Sequence, residues 1–171
     1  MKRDHRVAIT FLLLGIALVA SLSLTFWIGD RSLQASAALA RHEALTRSLM
    51  AAFSMLQDAE TGQRGYLLAR EEDYLAPFQT ATKEIVERLA DLQQFVRSGE
   101  IDRNTFDHLT EVAEAKMAEL QRTIDLARSG QEAEAVNILR QGSGKALMDE
   151  FRSVIGSSLA ARISSVLGRQ A

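Results

Sequence analysis

Residues 45–57 read LTRSLMAAFSMLQ, and the spacing of their apolar side chains indicates the fold class. Four of these side chains recur at intervals of four, three and four residues: Leu45, Leu49, Ala52 and Leu56. That spacing places them on one face of an α-helix. Because no residue between 29 and 60 would stop a helix, we expect this one to continue unbroken from the preceding apolar segment and to end near Leu68.

Similar spacing predicts three more helices downstream. The second begins near Asp73 and ends at Ser98-Gly99, and the third covers about 103–129. The fourth runs from about Glu132 to 167 and is interrupted at Gly142-Ser143-Gly144. No alternating strand pattern occurs. Short turns make consecutive helices antiparallel neighbours, so we expect an all-α fold, an up-down-up-down four-helix bundle with long first and fourth helices.

The apolar positions of the three later helices should complete the core of this bundle. In the second helix they are Leu75, Phe78, Ile85, Leu89, Leu92 and Val96. In the third helix they are Leu109, Val112, Lys116 or Met117, Leu120, Ile124 and Ala127. In the fourth helix they are Val136, Leu139, Leu147, Phe151, Ile155, Leu159, Ile163 and Val166.

Residues 7–29, VAITFLLLGIALVASLSLTFWIG, are 23 consecutive positions without a charge. As a helix they span about 34 Å, enough for a hydrocarbon core of about 30 Å. Trp27 lies at the outer end, where its ring favours the membrane interface. Three cations precede the run: Lys2, Arg3 and Arg6. The positive-inside rule therefore places residues 1–6 in the cytoplasm and residues 30–171 outside it.

A cleavable signal peptide is the alternative for this segment. Its apolar region would be about 7–15 residues long and would be followed by a small-residue cleavage site. Ala35-Ser36-Ala37 could serve as such a site, but the apolar run is much longer than a signal peptide needs. We therefore expect a transmembrane helix that crosses the bacterial inner membrane once, with a periplasmic or extracellular domain.

The charge and cysteine content of the chain exclude several function classes. After residue 29, 17 positive and 21 negative residues remain, a net charge of −4, and such a domain lacks the basic footprint of a nucleic-acid binder. The sequence contains no cysteine. Disulfides, thiolate nucleophiles and iron–sulfur clusters are therefore excluded.

The stretch DAETGQRGYLL at 58–68 is unusually polar for a helix end. Each mid-helix glycine costs about 1 kcal/mol relative to alanine, so we expect another helix backbone to approach closely there. Glu60 and Arg64 are four residues apart, which favours an ion pair. Together with a tyrosine just downstream, the candidate site residues are Asp58, Glu60, Thr61, Gly62, Gln63, Arg64, Gly65, Tyr66 and Tyr74.

Two interpretations of this stretch remain open. In the first, Glu60, Gln63 and Arg64 contact a small polar ligand at the membrane-distal end of the bundle. In the second, the same side chains form a buried or half-buried polar network that fixes the register of the first helix against the second. The glycines, Tyr66 and Tyr74 fit the second interpretation because packing alone would explain them.

DAETGQRGYLL, followed by EEDYLAPF at 71–78, resembles the signature of the type-three CHASE domain, an extracytoplasmic sensory module. The resemblance continues to about residue 155 through several shorter matches: KMAEL at 116–120, TI at 123–124, RSG at 128–130 and MDEFR at 148–152. It implies a four-helix bundle that senses a stimulus for histidine kinases, diguanylate cyclases or chemoreceptors.

The sequence departs from the family pattern after the bundle. Members of the family normally continue into a second membrane helix and a cytoplasmic output domain, whereas residues 156–171 contain no spanning run. We therefore expect either a fragment of a receptor or a stand-alone sensor without its own output domain. In the second case a separate kinase, cyclase or chemoreceptor would be the partner.

Neither an enzyme nor a metal protein is expected. The Glu-x-x-His pairs of di-iron bundles are missing, and the three histidines are isolated from one another: His5, His42 and His108. Gly142-Ser143-Gly144-Lys145 lacks the full spacing of a phosphate-binding loop. We predict no catalytic residue, no cofactor and no metal.

We expect a homodimer in which the long first helices lie side by side. Gly15 and nearby small residues could allow close approach within the membrane. The alternative function is a non-sensing envelope interaction or scaffold protein built on the same bundle.

Overall fold

The computed structural model describes the backbone of residues 2–167 and, within it, the side chains of residues 14–28, 36, 37, 39–161 and 164. Over residues 2–167 the chain is all-helical, without a β-strand. Five α-helices and one short 3₁₀-helix follow one another: α1 Lys2–Ala69, the 3₁₀-helix Glu72–Leu75, α2 Ala76–Arg97, α3 Arg103–Arg128, α4 Glu132–Gln141 and α5 Ser143–Leu167.

The chain divides into two compact units, Met1–Glu43 and Ala44–Ala171. In the first unit the described part belongs to α1, and its large apolar side chains between Leu14 and Ile28 are exposed. Within the described part of the chain, no helix is both long enough and apolar enough to cross a membrane. The side chains of residues 7–13 and 29, which belong to the predicted span, lie outside the described residues.

The larger of two core clusters in the second unit draws on α1, α2, α3 and α5. Its buried side chains include the predicted stripe of α1, which is fully buried: Leu45, Leu49, Ala52 and Leu56. Leu92, Leu109 and Phe151 contribute from the other three helices. The side chain of Phe53, partly buried on α1, stacks on Phe151 with ring centroids 6.1 Å apart. Apolar burial of this kind is the main free-energy gain in folding.

The smaller cluster lies where α1 ends. It joins Ala59 and Tyr66 of α1 to residues of the 3₁₀-helix, α2, α3 and α4. Leu120 and Ile124 of α3 are fully buried in it. The DAETGQRGYLL stretch at 58–68 therefore lies against a packed core.

The helix ends follow the local sequence closely. Pro77 occupies the first turn of α2, where its missing N–H costs nothing. Asp102 caps α3 by accepting a hydrogen bond from the Thr105 backbone N–H at 2.9 Å. Gly142 separates α4 from α5 with a φ of +76°, a left-handed conformation that favours glycine. The interruption predicted at 142–144 is therefore a complete helix break.

The second α-helix starts later than the sequence predicts. Glu72 and Asp73 begin a separate 3₁₀-helix, and the first turn of α2 contains no acidic residue. The predicted start near Asp73 therefore belongs to this short element, and α2 itself starts at Ala76.

The predicted core stripe is wrong in α4. Val136 is 37% exposed, while its neighbours Ala135 and Ile138 are buried. The prediction treated residues 132–167 as one helix with one continuous face, but the left-handed residue at Gly142 resets the helical phase. Ile163 and Val166, predicted for the same stripe, lie outside the described side chains.

Further large side chains that the sequence pattern missed are also buried, among them Phe95, Ile101, Phe106 and Met148. Val96, the predicted core position, is only partly buried, and its neighbour Phe95 is buried instead. Between the two candidates at the middle of α3, Lys116 is buried and Met117 is partly buried.

Candidate functional site

Gly62 and Gly65 allow the 3₁₀-helix and the start of α2 to lie directly on α1. A Cβ atom added at Gly62 would be 2.5 Å from the backbone oxygen of Tyr74 and 3.3 Å from Cδ of Pro77. A Cβ added at Gly65 would be 2.5 Å from Cδ1 of the Tyr74 ring. The close approach expected from the two glycines therefore occurs, and Tyr74 is the residue that makes it.

Glu60 connects the surface of α1 to the interior of the second unit. Its Oε1 forms an ion pair with Nη2 of Arg64 at 2.6 Å, as the spacing of four residues predicted. Its Oε2 lies 3.1 Å from Nζ of Lys116, and the same ammonium contacts Oε2 of Glu119 at 3.0 Å. The side chain of Lys116 is only 2% exposed. One buried cation is therefore shared by two carboxylates from two helices.

A buried hydrogen bond lies one helical turn from this ion network. Nε2 of Gln63 donates to Oγ1 of Thr123 at 2.7 Å, and both side chains are fully buried. The hydroxyl of Thr123 in turn donates to the Leu120 carbonyl at 2.9 Å. The bond links α1 to α3 and satisfies the donor side of the Gln63 amide. Oε1 of the same amide is buried without a hydrogen-bond partner among the described residues, so the polar-network interpretation accounts for only one half of this side chain.

Charged side chains around Tyr66 hold the end of α1 against the neighbouring helices. The ring of Tyr66, itself buried, has the guanidinium groups of Arg70 and Arg128 each 5.9 Å from its centroid. Arg128 binds Glu72 through hydrogen bonds of 3.0 and 2.6 Å, which hold the pKa of the Glu72 carboxyl below its usual range. Arg70 donates to the Ala127 carbonyl at 2.8 Å and pairs with Glu132.

The remaining candidates, Asp58 and Thr61, lie on the exposed side of α1. The hydroxyl of Thr61 donates to the Gln57 carbonyl at 2.9 Å, a contact within the helix. The structure thus buries Gln63 and Tyr66, leaves Glu60 partly buried between interior and surface, and places Asp58, Thr61 and Arg64 on the surface.

A polar cavity of about 570 Å³ opens beside the exposed part of this stretch. Residues of α1 and α5 line it: Gln57, Glu60, Thr61, Arg64, Lys145, Met148, Asp149 and Arg152. Asp149 accepts from Nη1 of Arg152 at 2.7 Å and from Nζ of Lys145. These two hydrogen bonds, the one from Lys145 first, hold the pKa of the Asp149 carboxyl below its usual range.

Sequence reasoning did not select the α5 residues of this cavity. Asp149 and Arg152 belong to the MDEFR stretch that carried the family resemblance, but no spacing rule links them to residues almost a hundred positions earlier. Thr123 and Glu119 were missed for the same reason. Of the partners of this stretch, only Lys116 could have been suspected from the sequence, because it is a charged residue at a predicted core position.

A second cavity of about 410 Å³ lies along α2 and α3 and has a mostly apolar lining. Ile85, Leu89 and Phe106 contribute to it, with Glu114 as the one charged residue of the lining. Among the described residues there is no group of three or more histidines, aspartates or glutamates that could hold a metal ion. Both cavities are of ligand size, and a third, more open one of about 590 Å³ lies along α3 between Ala118 and Ser129.

The fold and this network define a class of protein: an all-helical domain in which polar side chains near the end of α1 form buried ion pairs and hydrogen bonds with α3. Comparison with known families matches the CHASE3 domain to residues 35–165. The chain belongs to the CHASE3 domain family, as the resemblance of the 58–68 stretch predicted.

One solved structure supports the helical fold independently. The chain is similar to the sensor domain of the histidine kinase HK9 from Rhodopseudomonas palustris, with a TM-score of 0.62 and 22% sequence identity. The match covers 74% of this chain and 98% of that chain. At this identity the similarity demonstrates a shared fold. No curated protein matches the chain.

Proposed function

We propose that this chain is the extracytoplasmic sensory domain of a bacterial signal-transduction receptor. The observation that carries the proposal is the CHASE3 match over residues 35–165, which includes the whole polar stretch at 58–68. The shared fold with a histidine kinase sensor domain supports it. In this role the domain acts without catalysis, and binding of a stimulus changes the packing of its helices.

We further propose that residues 7–29 anchor the domain in the inner membrane, with residues 1–6 in the cytoplasm and 30–171 outside. The absence of charge from all 23 positions of this segment supports the proposal. So does the exposure of its described apolar side chains, for example 63% for Leu22 and 79% for Phe26. Exposed apolar surface of this kind is stable in lipid and unstable in water.

The predicted four-helix arrangement is part of the same proposal. Support comes from the larger core cluster, to which α1, α2, α3 and α5 each contribute buried side chains. Interfaces between helices that pack in this way switch between discrete arrangements, which is how a sensor would pass on a signal. A second copy of the chain, through α1, and a kinase, cyclase or chemoreceptor would be its protein partners.

The orientation can be tested with single cysteines, because the native sequence contains none. We would replace Gln79, exposed on α2, and Asp4, in the predicted cytoplasmic tail, in separate variants. In intact spheroplasts a membrane-impermeant maleimide should label Gln79→Cys, whereas Asp4→Cys should react only after lysis. Labelling of Asp4→Cys in intact spheroplasts, or of neither variant before lysis, would overturn the proposed orientation.

Sensing can be tested by thermal unfolding of the full chain in mild detergent against a library of small metabolites. A ligand at a hundred times its Kd stabilises the folded state by about 2.7 kcal/mol, which corresponds to a rise in Tm of about 5–10 °C for a chain of this size. The scaffold alternative predicts no such ligand. It also predicts that neighbouring genes encode envelope-assembly proteins instead of a kinase, cyclase or methyl-accepting domain.

A further inference from the structure

The polar cavity between α1 and α5 has an excess of positive charge on an acidic chain. Three cations line it: Arg64, Lys145 and Arg152. Two carboxylates line it, those of Glu60 and Asp149. Glu60 also shares the buried Lys116 with Glu119, and these three interior groups together carry one negative charge. The cavity is therefore a locally cationic site, whereas the chain as a whole carries a net charge of −2.

The three cations are within reach of a ligand. Their side chains are 56% exposed for Arg64, 76% for Lys145 and 57% for Arg152. A guanidinium group has five N–H donors and an ammonium group has three, so one intramolecular ion pair leaves further donors on each side chain. These donors can bind an anion, which then shares each side chain with its carboxylate partner.

Arg152 is held in place before any ligand arrives. Its guanidinium lies 5.2 Å from the ring centroid of Phe53, and that ring stacks on Phe151 of the core. The same guanidinium donates to Asp149 Oδ1 at 2.7 Å. A cation held by both a ring and a carboxylate loses little conformational entropy when a ligand binds.

We infer that this cavity binds a small anionic metabolite whose carboxylate or phosphate oxygens contact Arg64, Lys145 and Arg152. The inference rests on the proposed sensory function and names the ligand class for it. A volume of about 570 Å³ is in the range of small-molecule sites. Arginine guanidinium groups form paired hydrogen bonds with the oxygens of both kinds of anion. The apolar cavity between α2 and α3 does not suit this ligand, because its lining contains no cation and its charged residue, Glu114, would repel an anion.

Glu60 would connect the bound anion to the interior. An anion that recruits Arg64 competes with Glu60 for the guanidinium, and Glu60 then depends more strongly on Lys116 of α3. The backbone of α5 lies against the same group, since a Cβ added at Gly144 would be 2.6 Å from Nζ of Lys116. Binding at the surface of α1 would in this way change the contacts that Lys116 makes between α1, α3 and α5.

The test is isothermal titration calorimetry of the full chain in mild detergent with citrate, succinate and inorganic phosphate. Sodium chloride at equal ionic strength is the control for the general screening of charges by salt. We expect saturable binding of at least one of the three anions and none with chloride. Binding of citrate or succinate alone would assign a carboxylate ligand, and binding of phosphate alone would assign a phosphate ligand.

Arg64→Gln and Arg152→Gln should each weaken the binding about tenfold or more, because each removes a charged hydrogen bond to the anion. Arg88→Gln is the matched control: Arg88 is a similarly exposed arginine that pairs with Glu84 on α2, away from the cavity. Glu60→Gln should strengthen binding several-fold, because it releases Arg64 and removes a negative charge. A purely structural role for Glu60 would not produce a gain in affinity.

Three results would overturn the inference: no saturable binding of any of the three anions, wild-type affinity in either arginine variant, or unchanged or weaker binding in Glu60→Gln. Thermal unfolding of each variant verifies that it is folded. These results would leave the sensory function intact if the metabolite screen gave an uncharged ligand. The reverse orientation in the cysteine experiment would instead overturn the extracytoplasmic assignment, whatever the calorimetry gave.

Discussion

Lys116 lies in the interior of the second unit, with a side chain only 2% exposed. A buried ammonium is tolerated only when carboxylates compensate it, and here Glu60 and Glu119 both lie within about 3.1 Å of Nζ. Such an arrangement contributes little net stability, but removing one partner leaves uncompensated buried charge. The network therefore makes the contact between α1 and α3 sensitive to any change at Lys116.

We predict that Lys116→Met lowers the free energy of unfolding by about 3 kcal/mol, because Glu60 and Glu119 then face each other without the cation. Urea denaturation at neutral pH would measure it. Lys83→Met, at an exposed lysine of α2, is the control and should change stability by less than about 0.5 kcal/mol. Equal losses in the two variants would contradict the role assigned to the buried cation.

Gly62 leads to a second prediction at the residue scale. Alanine normally stabilises a helix interior relative to glycine, but at this position the new Cβ would lie 2.5 Å from the backbone oxygen of Tyr74. Because a backbone atom cannot rotate away, we expect Gly62→Ala to destabilise the protein by about 1–3 kcal/mol.

Gly156→Ala is the matched control for Gly62→Ala. Gly156 is also within a helix, α5, but nothing lies within 4 Å of an added Cβ. This substitution should stabilise the protein by about 1 kcal/mol through helix propensity alone. Chemical denaturation of both variants measures the two effects, and a stabilising Gly62→Ala would show that the 3₁₀-helix does not rest on α1 as described.

Among the helices, α3 shares core clusters with α1, α2, α4 and α5. Its start is fixed by Asp102, whose carboxylate accepts from both the backbone N–H and the hydroxyl of Thr105. Its end is marked by Gly130, which has a φ of +79°. Both boundaries follow from local sequence, which is why the predicted range of 103–129 agrees with Arg103–Arg128 within one residue.

At neutral pH, Asp102→Ala should cost about 1 kcal/mol of stability, the usual loss when an N-cap is removed. Hydrogen bonds from Thr105 hold the pKa of the Asp102 carboxyl below its ordinary value of 3.8. A carboxyl with a lowered folded-state pKa stabilises the protein above its unfolded-state pKa, and the effect is lost as the pH falls through the folded value.

The difference in stability between wild type and Asp102→Ala should therefore be constant above about pH 5 and shrink as the pH falls below 3.8. Urea denaturation of both proteins across this interval would measure it. A difference that grew on acidification would contradict the described cap.

At the scale of the whole molecule, the two compact units have different surfaces. The unit Met1–Glu43 exposes its described apolar side chains, whereas the unit Ala44–Ala171 buries a core on several helices. Within the second unit, α1 also exposes Met50 and Ser54, which are four residues apart and therefore lie on one face of the helix. Met50, a large apolar residue, is 45% exposed. The proposed dimer through α1 would form at these two residues, outside the lining of the polar cavity.

We predict that Met50→Cys and Ser54→Cys form disulfide-linked dimers under mild oxidation in membranes, because identical positions face each other across a parallel helix pair. Non-reducing electrophoresis would show a species at twice the monomer mass of 18.9 kDa. Gln79→Cys on α2 is the control and should stay monomeric. Light scattering that shows only monomer in mild detergent at high concentration would contradict the dimer.

The sequence by itself determined the helical fold class, most helix boundaries and the family. These features depend on local rules: apolar spacing, glycine and proline at helix ends, and an uncommon polar stretch at 58–68. The Glu60–Arg64 pair was also predictable because four residues separate its partners on one helix.

Only the tertiary structure decided which distant residues meet that stretch. It placed Lys116 between two carboxylates, paired Gln63 with Thr123, and brought Lys145 and Arg152 to the cavity beside Arg64. It also shifted the buried face of α4 away from Val136. These contacts depend on the phase of each helix and the direction in which it returns. Both are set by the packing of the whole core, and no spacing within a single helix encodes them.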